Sequence, residues 1–132
     1  MTQKNKNTIL VADDDKFIRE RLDLIFSQAG YFVRKAKSGE EAMNIITQGG
    51  VELAILDFHL EDITGDELID QIRDRDKSIP VIVITGDESI EPERKVREKG
   101  VFAFFMKPLE LEIMKKTVAA ALKLRQKAVQ GN

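Results

Sequence analysis

The chain contains 132 residues, of which 42% are hydrophobic and 33% are charged, with 8 Gly and 3 Pro. This length suits a single domain, and the composition excludes collagen-like and strongly disordered chains. The net charge of −2 excludes the basic field of a dedicated nucleic-acid or anionic-membrane binder, and the absence of Cys excludes disulfides and thiolate metal sites. No secretory signal and no apolar run of roughly 18 residues is visible, which predicts a cytoplasmic protein.

Five short apolar runs have the length and the β-branched or aromatic bias of strands. They cover residues 8–12, 31–33, 51–56, 80–84 and 101–106. The first, third and fourth runs are the most uniformly apolar, as expected for interior strands that are buried on both faces. The second run is followed by charged residues and is typical of an edge strand.

Segments with helical periodicity lie between these runs. The clearest is an amphipathic helix with apolar residues at steps of three and four: Ile18, Leu22, Ile25, Phe26 and Ala29. A second helix begins at Ser38 and Glu41, which form a capping box that satisfies free backbone amides. Its end is predicted at Gly49 and Gly50, because glycine commonly terminates helices.

Three further helices are predicted over residues 64–77, over 89–99 and after Pro108. Pro92 fits the fourth helix only in its first turn, where no hydrogen bond is lost. Each parallel connection must cross over the sheet, so the alternation of strand and helix predicts a parallel sheet with helices on both faces. The predicted fold class is a doubly wound α/β sheet in one domain.

Polar residues follow four of the five apolar runs, where open parallel sheets bind their ligands. They are Asp13, Asp14, Asp15, Asp57, Thr85 and Lys107. Carboxylates gathered at one edge would repel one another, and hard oxygen ligands suit a divalent cation such as Mg²⁺. A carboxylate nucleophile, a metal, a lysine and a hydroxyl together indicate acyl-phosphate chemistry.

The segments ILVADDD, ILDFHLEDITG, VIVITG and FFMKP resemble the receiver domains of two-component response regulators. The resemblance covers about residues 7–125 and is specific, because the separate motifs occur in the correct order and each lies at the end of a predicted strand. It implies a flavodoxin-like (βα)5 fold with five parallel strands. It also implies a phosphoacceptor signalling domain, not an enzyme with an external substrate.

The resemblance implies that Asp57 is the phosphoacceptor. Asp13 and Asp14 would form the acidic pair that helps Asp57 to hold Mg²⁺ or Mn²⁺, and the backbone carbonyl of His59 would complete the metal site. The phosphoryl group would come from a sensor histidine kinase or a histidine phosphotransfer protein. That donor is expected to dock around the first helix and the loop after the fifth strand.

The resemblance also implies a catalytic lysine and a conformational switch. Lys107 would contact the phosphoryl group and precede a cis-proline, Pro108, while Thr85 would supply the switch hydroxyl. Phe104, three residues before the lysine, would turn inward on phosphorylation. The surface of helix 4, strand 5 and helix 5 would then change, control an unknown downstream protein and offer a surface for dimerisation.

Four positions differ from the common pattern of the family or are variable within it. Glu61 stands where the loop after Asp57 usually carries proline, and Phe104 lacks the hydroxyl of the tyrosine that is often found there. His59 and Asp87 each lie two residues after a central site residue, at positions where family members tune dephosphorylation. These differences affect loop rigidity and output but leave the phosphotransfer residues complete.

Simpler structural roles compete with several of these assignments. Asp15 is expected to cap the first helix, and core burial of Phe104 is as good an interpretation as switching. A solvated His59 side chain is favoured over a catalytic or metal-binding imidazole. The basic residues of the last helix are most simply a solvated helix face: Lys115, Lys116, Lys123, Arg125 and Lys127.

Other functions remain as alternatives. The chain reads as a stand-alone receiver, although a fragment of a larger regulator or hybrid histidine kinase would look the same. A haloacid-dehalogenase-type phosphohydrolase would use Asp13 as nucleophile, but Phe17 stands where its first motif needs Thr or Val. A binding module that signals without phosphorylation is disfavoured by the complete set of site residues.

Overall fold

The computed structural model describes residues 7–130. Its five strands form one parallel sheet in the order β2-β1-β3-β4-β5, and a helix follows each strand. The strands are β1 (Thr8–Ala12), β2 (Phe32–Ala36), β3 (Leu53–Asp57), β4 (Val81–Thr85) and β5 (Ala103–Met106). The helices are α1 (Lys16–Gln28), α2 (Gly39–Thr47), α3 (Gly65–Arg75), α4 (Glu91–Arg97) and α5 (Leu111–Gln130). This architecture confirms the predicted doubly wound α/β fold.

β1 has the predicted boundaries, and the boundaries of the other strands differ from the predicted ones by at most three residues. β2 continues to Ala36 because Arg34 and Lys35 pair with β1 at the sheet edge, where charged side chains reach solvent. β3 and β4 each include one polar residue beyond the apolar run, at Asp57 and Thr85. These two strands can end on polar side chains because their last residues lie at the carboxyl edge of the sheet.

α4 is shorter at both ends than its predicted range of 89–99. At its start, the amide of Ser89 donates to Asp87 Oδ1 at 2.9 Å, a local turn that delays the helix. At its end, the amides of Lys99 and Gly100 donate to carbonyls only three residues back, so the last turn tightens. Pro92 lies in the first turn, as the sequence predicts.

Side chains of the central strands alternate between two buried layers. One layer contains residues such as Leu10, Leu56 and Val83 and packs against α2, α3 and α4. The other contains residues such as Ile9 and Ile55 and packs against α1 and α5. β1, β3 and β4 are covered on both faces, which explains why their sequences are almost continuously apolar.

Side chains cap the first two helices as the sequence predicts. Asp15 Oδ1 accepts hydrogen bonds from the amides of Phe17 at 2.9 Å and Ile18 at 3.4 Å. Ser38 Oγ accepts from the amide of Glu41 at 3.1 Å. These bonds satisfy amides that have no partner inside the helix.

The last helix differs most from the predicted solvated basic face at Arg125. The side chain of Arg125 is only 19% exposed and lies 3.8 Å from the carboxylate of Glu52, so it is partly buried against the start of β3. Lys123 and Lys127 are exposed, as expected. Across residues 7–130, no helix combines the length and the apolar character that crossing a membrane requires.

We predict that Gly65→Ala lowers the free energy of unfolding by about 1–2 kcal/mol. A Cβ at this position would lie 3.0 Å from Phe58 Cδ1 and 3.1 Å from Phe58 Cα, and the backbone there cannot yield easily. Urea unfolding followed by circular dichroism measures the change. Gly86→Ala is the control, because its Cβ would meet only Lys107 Cδ at 3.8 Å. Equal stability of the two variants would contradict the prediction.

Candidate functional site

Four elements bring polar residues to the carboxyl edge of the sheet. Asp13 follows β1, Asp57 ends β3, Thr85 ends β4 and Lys107 follows β5. These strands are parallel and pair side by side as β1-β3-β4-β5, so their ends meet at one edge. Residues that are far apart in the sequence therefore meet in a single site.

Three carboxylates form the acidic part of this site. Asp13, Asp14 and Asp57 each offer one oxygen, and the three oxygens lie within 4.8 Å of one another. Asp13 is fully buried and Asp57 is 6% exposed, whereas Asp14 is exposed. Three hard oxygen donors at this spacing suit a divalent cation, which would also relieve the repulsion between them.

Lys107 supplies the positive charge in this site. Its Nζ lies 3.1 Å from Asp13 Oδ2 and 3.4 Å from Asp57 Oδ2. Burial lowers the pKa of Lys107, but the two carboxylates outweigh burial and raise this pKa above its usual value. The ammonium therefore stays charged. The Lys107–Pro108 peptide bond is cis.

Asp13 and Asp57 differ in their hydrogen bonds. Asp13 Oδ1 accepts from the amide of Asp15 at 2.8 Å, while its buried Oδ2 accepts no hydrogen bond from the described residues and has only the ion pair with Lys107. Asp57 Oδ1 accepts from the amide of His59 at 3.4 Å. Both carboxylates thus keep acceptor capacity that a cation could use.

Burial and the neighbouring charge of Asp13 raise the pKa of Asp57 to about 6. Lys107 and the amide of His59 oppose this shift, because both stabilise the ionised form. Asp57 is therefore a carboxylate above about pH 6, and its charge is held at a free-energy cost. A group in this condition can bind a cation or act as a nucleophile.

Thr85 and Phe104 lie on neighbouring strands. Thr85 is fully buried, and its Oγ1 accepts a hydrogen bond from the amide of Asp87 at 3.0 Å. This bond uses the oxygen as acceptor and leaves the hydroxyl proton available for donation. Phe104 is half-buried and packs against the layer of α2, α3 and α4.

The His59 side chain is exposed, as the sequence predicts, and it also contacts Asp87. Its Nε2 lies 2.7 Å from Asp87 Oδ2, so the pair bridges the loops after β3 and β4, although 54% of the His59 side chain remains exposed. The amide of Ser89 and then His59 lower the pKa of Asp87 to about 2. The equal offset of His59 and Asp87 from two adjacent strand ends was the available signal for this contact.

The fold and the site define a flavodoxin-like α/β domain with an acidic, lysine-bearing centre at the carboxyl edge of its sheet. Residues 9–119 match the family model described as the response regulator receiver domain, and the chain belongs to this family. It is a receiver domain of two-component response regulators. This membership favours the receiver interpretation over a phosphohydrolase with Asp13 as nucleophile.

This chain resembles relatives that are much longer than itself and a relative of similar length. The response regulator protein PilR of Pseudomonas aeruginosa is 30% identical over 121 residues, which cover 92% of this chain and 27% of PilR. Sporulation initiation phosphotransferase F of Bacillus subtilis is 28% identical over 117 residues, which cover 89% of this chain and 94% of that protein. The chain spans 26% to 32% of the length of the first four curated relatives.

Solved structures agree with the assignment. The CheY-like response regulator receiver domain protein from Methanospirillum hungatei JF-1 superposes with a TM-score of 0.89 at 27% identity. The alignment covers 94% of this chain and 99% of that one. The fold of the described residues is therefore that of a receiver domain.

We predict that Asp57→Asn stabilises the Mg²⁺-free protein by about 1–3 kcal/mol at about pH 7.5. The folded-state pKa of Asp57, about 6, lies above the usual 3.8. The cost of its buried charge is therefore complete above pH 6 and disappears as the pH falls from 6 towards 3.8. Urea unfolding in chelator at about pH 7.5 and about pH 4.5 should show the gain shrinking at the lower pH.

Asp23→Asn is the control for this pH dependence. A hydrogen bond from Lys35 lowers the pKa of Asp23, so removing that charge should destabilise the protein at neutral pH. The two variants should thus change stability in opposite directions. Loss of stability in both would show that the pairing of Asp57 with Lys107 outweighs its burial.

Proposed function

We propose that Asp57 accepts a phosphoryl group from a phosphohistidine on a sensor histidine kinase or a histidine phosphotransfer protein. The observation that carries this proposal is the position of the Asp57 carboxylate, which lies among Asp13, Asp14 and the ammonium of Lys107. Within residues 7–130, Asp13, Asp14 and Asp57 are the only carboxylates that form such a cluster of three. Membership in the receiver family supports the same assignment.

We propose that Asp13, Asp14 and Asp57 hold Mg²⁺ or Mn²⁺, with the backbone carbonyl of His59 as a further ligand. The carboxylate oxygens are hard donors, and the buried Asp13 Oδ2 accepts no hydrogen bond from the described residues. When bound, the cation would neutralise negative charge on the carboxylates and the incoming phosphoryl oxygens. A site with three acids would repel a phosphoryl group on its own, so it favours binding of a cation together with that group.

In the transfer itself, an oxygen of the Asp57 carboxylate attacks phosphorus as the bond from phosphorus to the donor's imidazole nitrogen breaks. The product is an aspartyl phosphate, and the electron pair of the broken bond leaves with the imidazole. Lys107 pairs with a phosphoryl oxygen, and water later attacks the acyl phosphate to release inorganic phosphate. We therefore propose that the domain catalyses its own phosphorylation and dephosphorylation. We place it in the cytoplasm, where histidine kinases have access to ATP.

The proposed output begins at Thr85. Its hydroxyl would donate to a phosphoryl oxygen, and Phe104 on the neighbouring strand would turn further inward. The resulting change would reach the surface of α4, β5 and α5 and alter binding of a downstream protein or a second copy. This face already exposes the apolar side chains Phe102, Met106 and Ile113.

The proposed donor site lies beside the phosphoacceptor. A cavity of about 320 Å³ lies between α1 and the loop before α5, and its walls include Phe17, Ile18, Lys107 and Pro108. Phe17 is 72% exposed, which is unusual for so large an apolar side chain. A helix of the phosphohistidine donor could cover this surface and bring its imidazole to Asp57.

Incubation with acetyl phosphate and Mg²⁺ should add the mass of one phosphoryl group to the wild type. Asp57→Asn should gain none, because the amide is not a nucleophile. Asp13→Asn should slow phosphorylation at least about tenfold, because it removes a carboxylate from the proposed cation site. Intact-protein mass spectrometry over time measures these changes, and chelation should abolish the addition.

Asp15→Asn is the matched acidic control for these variants. Asp15 lies next to the cluster in sequence but caps α1, so its phosphorylation rate should stay within about twofold of wild type. Equal phosphorylation of wild type and Asp57→Asn would refute Asp57 as the acceptor.

Phe17→Ala should reduce phosphotransfer from a cognate phosphohistidine protein by about tenfold or more, because it removes an exposed anchor for the donor. It should leave phosphorylation by acetyl phosphate unchanged, since the small donor needs no docking surface. Leu24→Ala, which alters another exposed apolar residue of α1, is the control. Equal rates for Phe17→Ala and wild type with the protein donor would exclude this docking surface.

A further inference from the structure

A single carboxylate fastens the β3–α3 loop, residues 58–64, to the start of α2. Asp62 Oδ1 accepts a hydrogen bond from the amide of Gly39 at 2.8 Å, and Asp62 Oδ2 accepts one from the amide of Glu40 at 3.0 Å. Amides in the first turn of a helix have no partner within that helix. Asp62 supplies two of these partners from positions 23 and 22 residues away in sequence.

The packing around this contact is close. A Cβ at Gly39 would overlap Ile63 Cγ2, so the loop lies directly against the first turn of α2. Ile63 also packs on the core layer of α2, α3 and α4. The two amides lower the pKa of Asp62, so the carboxylate stays charged at neutral pH and its bonds are charge-assisted.

The fastened loop is short and internally bonded. Its two sides meet as a bridge between His59 and Thr64, and the amide of Leu60 donates to the carbonyl of Ile63 at 3.2 Å. The amide of His59 in turn contacts Asp57 Oδ1 at 3.4 Å. A restraint at Asp62 is therefore transmitted over three residues to the backbone beside the phosphoacceptor.

We infer that Asp62 is a positioning residue for the metal site: it holds the His59 backbone beside Asp57, an inference that rests on the proposed function. Its loss frees the loop, so cation binding must also order the loop and becomes weaker. Once the cation is bound, the loop adopts the same position as in the wild type. Asp62 should therefore affect the affinity for Mg²⁺ and leave the rate at saturating Mg²⁺ unchanged.

The test compares Asp62→Ala with Ser38→Ala. Both variants remove acceptors from the first turn of α2, but Ser38 Oγ caps the amide of Glu41 locally and makes no hydrogen bond to the β3–α3 loop. Calorimetric Mg²⁺ titration of the unphosphorylated proteins should show affinity about three- to tenfold weaker for Asp62→Ala and within about twofold of wild type for Ser38→Ala. Asp62→Asn should be intermediate, because its amide retains one acceptor oxygen.

A second measurement follows phosphorylation by acetyl phosphate against Mg²⁺ concentration. Asp62→Ala should need about three- to tenfold more Mg²⁺ for half its maximal rate, while the maximal rate stays within about twofold of wild type. Amide hydrogen exchange at His59 and Leu60 should accelerate in Asp62→Ala and not in Ser38→Ala. Unchanged Mg²⁺ affinity in Asp62→Ala, or an equal loss in Ser38→Ala, would reduce Asp62 to a helix cap and overturn the inference.

The wild type separates failure of this inference from failure of the proposed function. If wild type binds Mg²⁺ but is never phosphorylated, the phosphotransfer proposal fails, and the Mg²⁺ titration still decides the role of Asp62. If wild type binds no Mg²⁺, the metal site and the inference are both overturned. If wild type is phosphorylated with Mg²⁺ and Asp62→Ala matches it throughout, only the inference fails.

Discussion

Two buried carboxylates that share one ammonium determine the charge balance at the carboxyl edge of the sheet. Asp13 and Asp57 both face Lys107 Nζ, at 3.1 and 3.4 Å, so negative charge exceeds positive charge where little water can screen it. Such an arrangement persists only if rigid surroundings hold the charges in place. Here that support comes from β1 and β3, which are adjacent, parallel and buried on both faces. The stability of the central strands thus maintains a site that is itself unfavourable.

The two core layers place different helices on the two sides of the site. α1 lies on the layer next to the proposed donor surface, while α3 and α4 lie on the layer against which Phe104 packs. Along β5, Phe104 and Phe105 point to opposite layers, as alternation in a strand requires. The proposed donor surface therefore lies on the α1 face of the sheet, whereas the proposed output surface includes both faces, because α4 packs on one layer and α5 packs on the other.

Most of the fold and the main site residues were predictable from sequence because they depend on local patterns. Interior strands require apolar runs, and ligand residues of a parallel sheet follow those runs, which placed Asp57 and Thr85 correctly at strand ends. Contacts between loops were not predictable in this way. The Asp62 bonds to α2 depend on a loop conformation that no periodicity encodes, and the equal offsets of His59 and Asp87 from their strand ends indicate proximity without specifying the contact. Arg125 was misjudged because its helix position indicates only a face, not the acidic partner that the fold brings to it.

The edge strand β2 has a consequence for how this domain behaves at high concentration. An exposed strand edge can pair with the edge of another molecule and begin aggregation. Arg34 and Lys35 place positive charge along this edge, and Lys35 is held 3.2 Å from Glu20 and 2.9 Å from Asp23 on α1. A second strand approaching β2 would have to bury these charges or break their pairing. The charged edge thus disfavours growth of the sheet by the addition of further molecules.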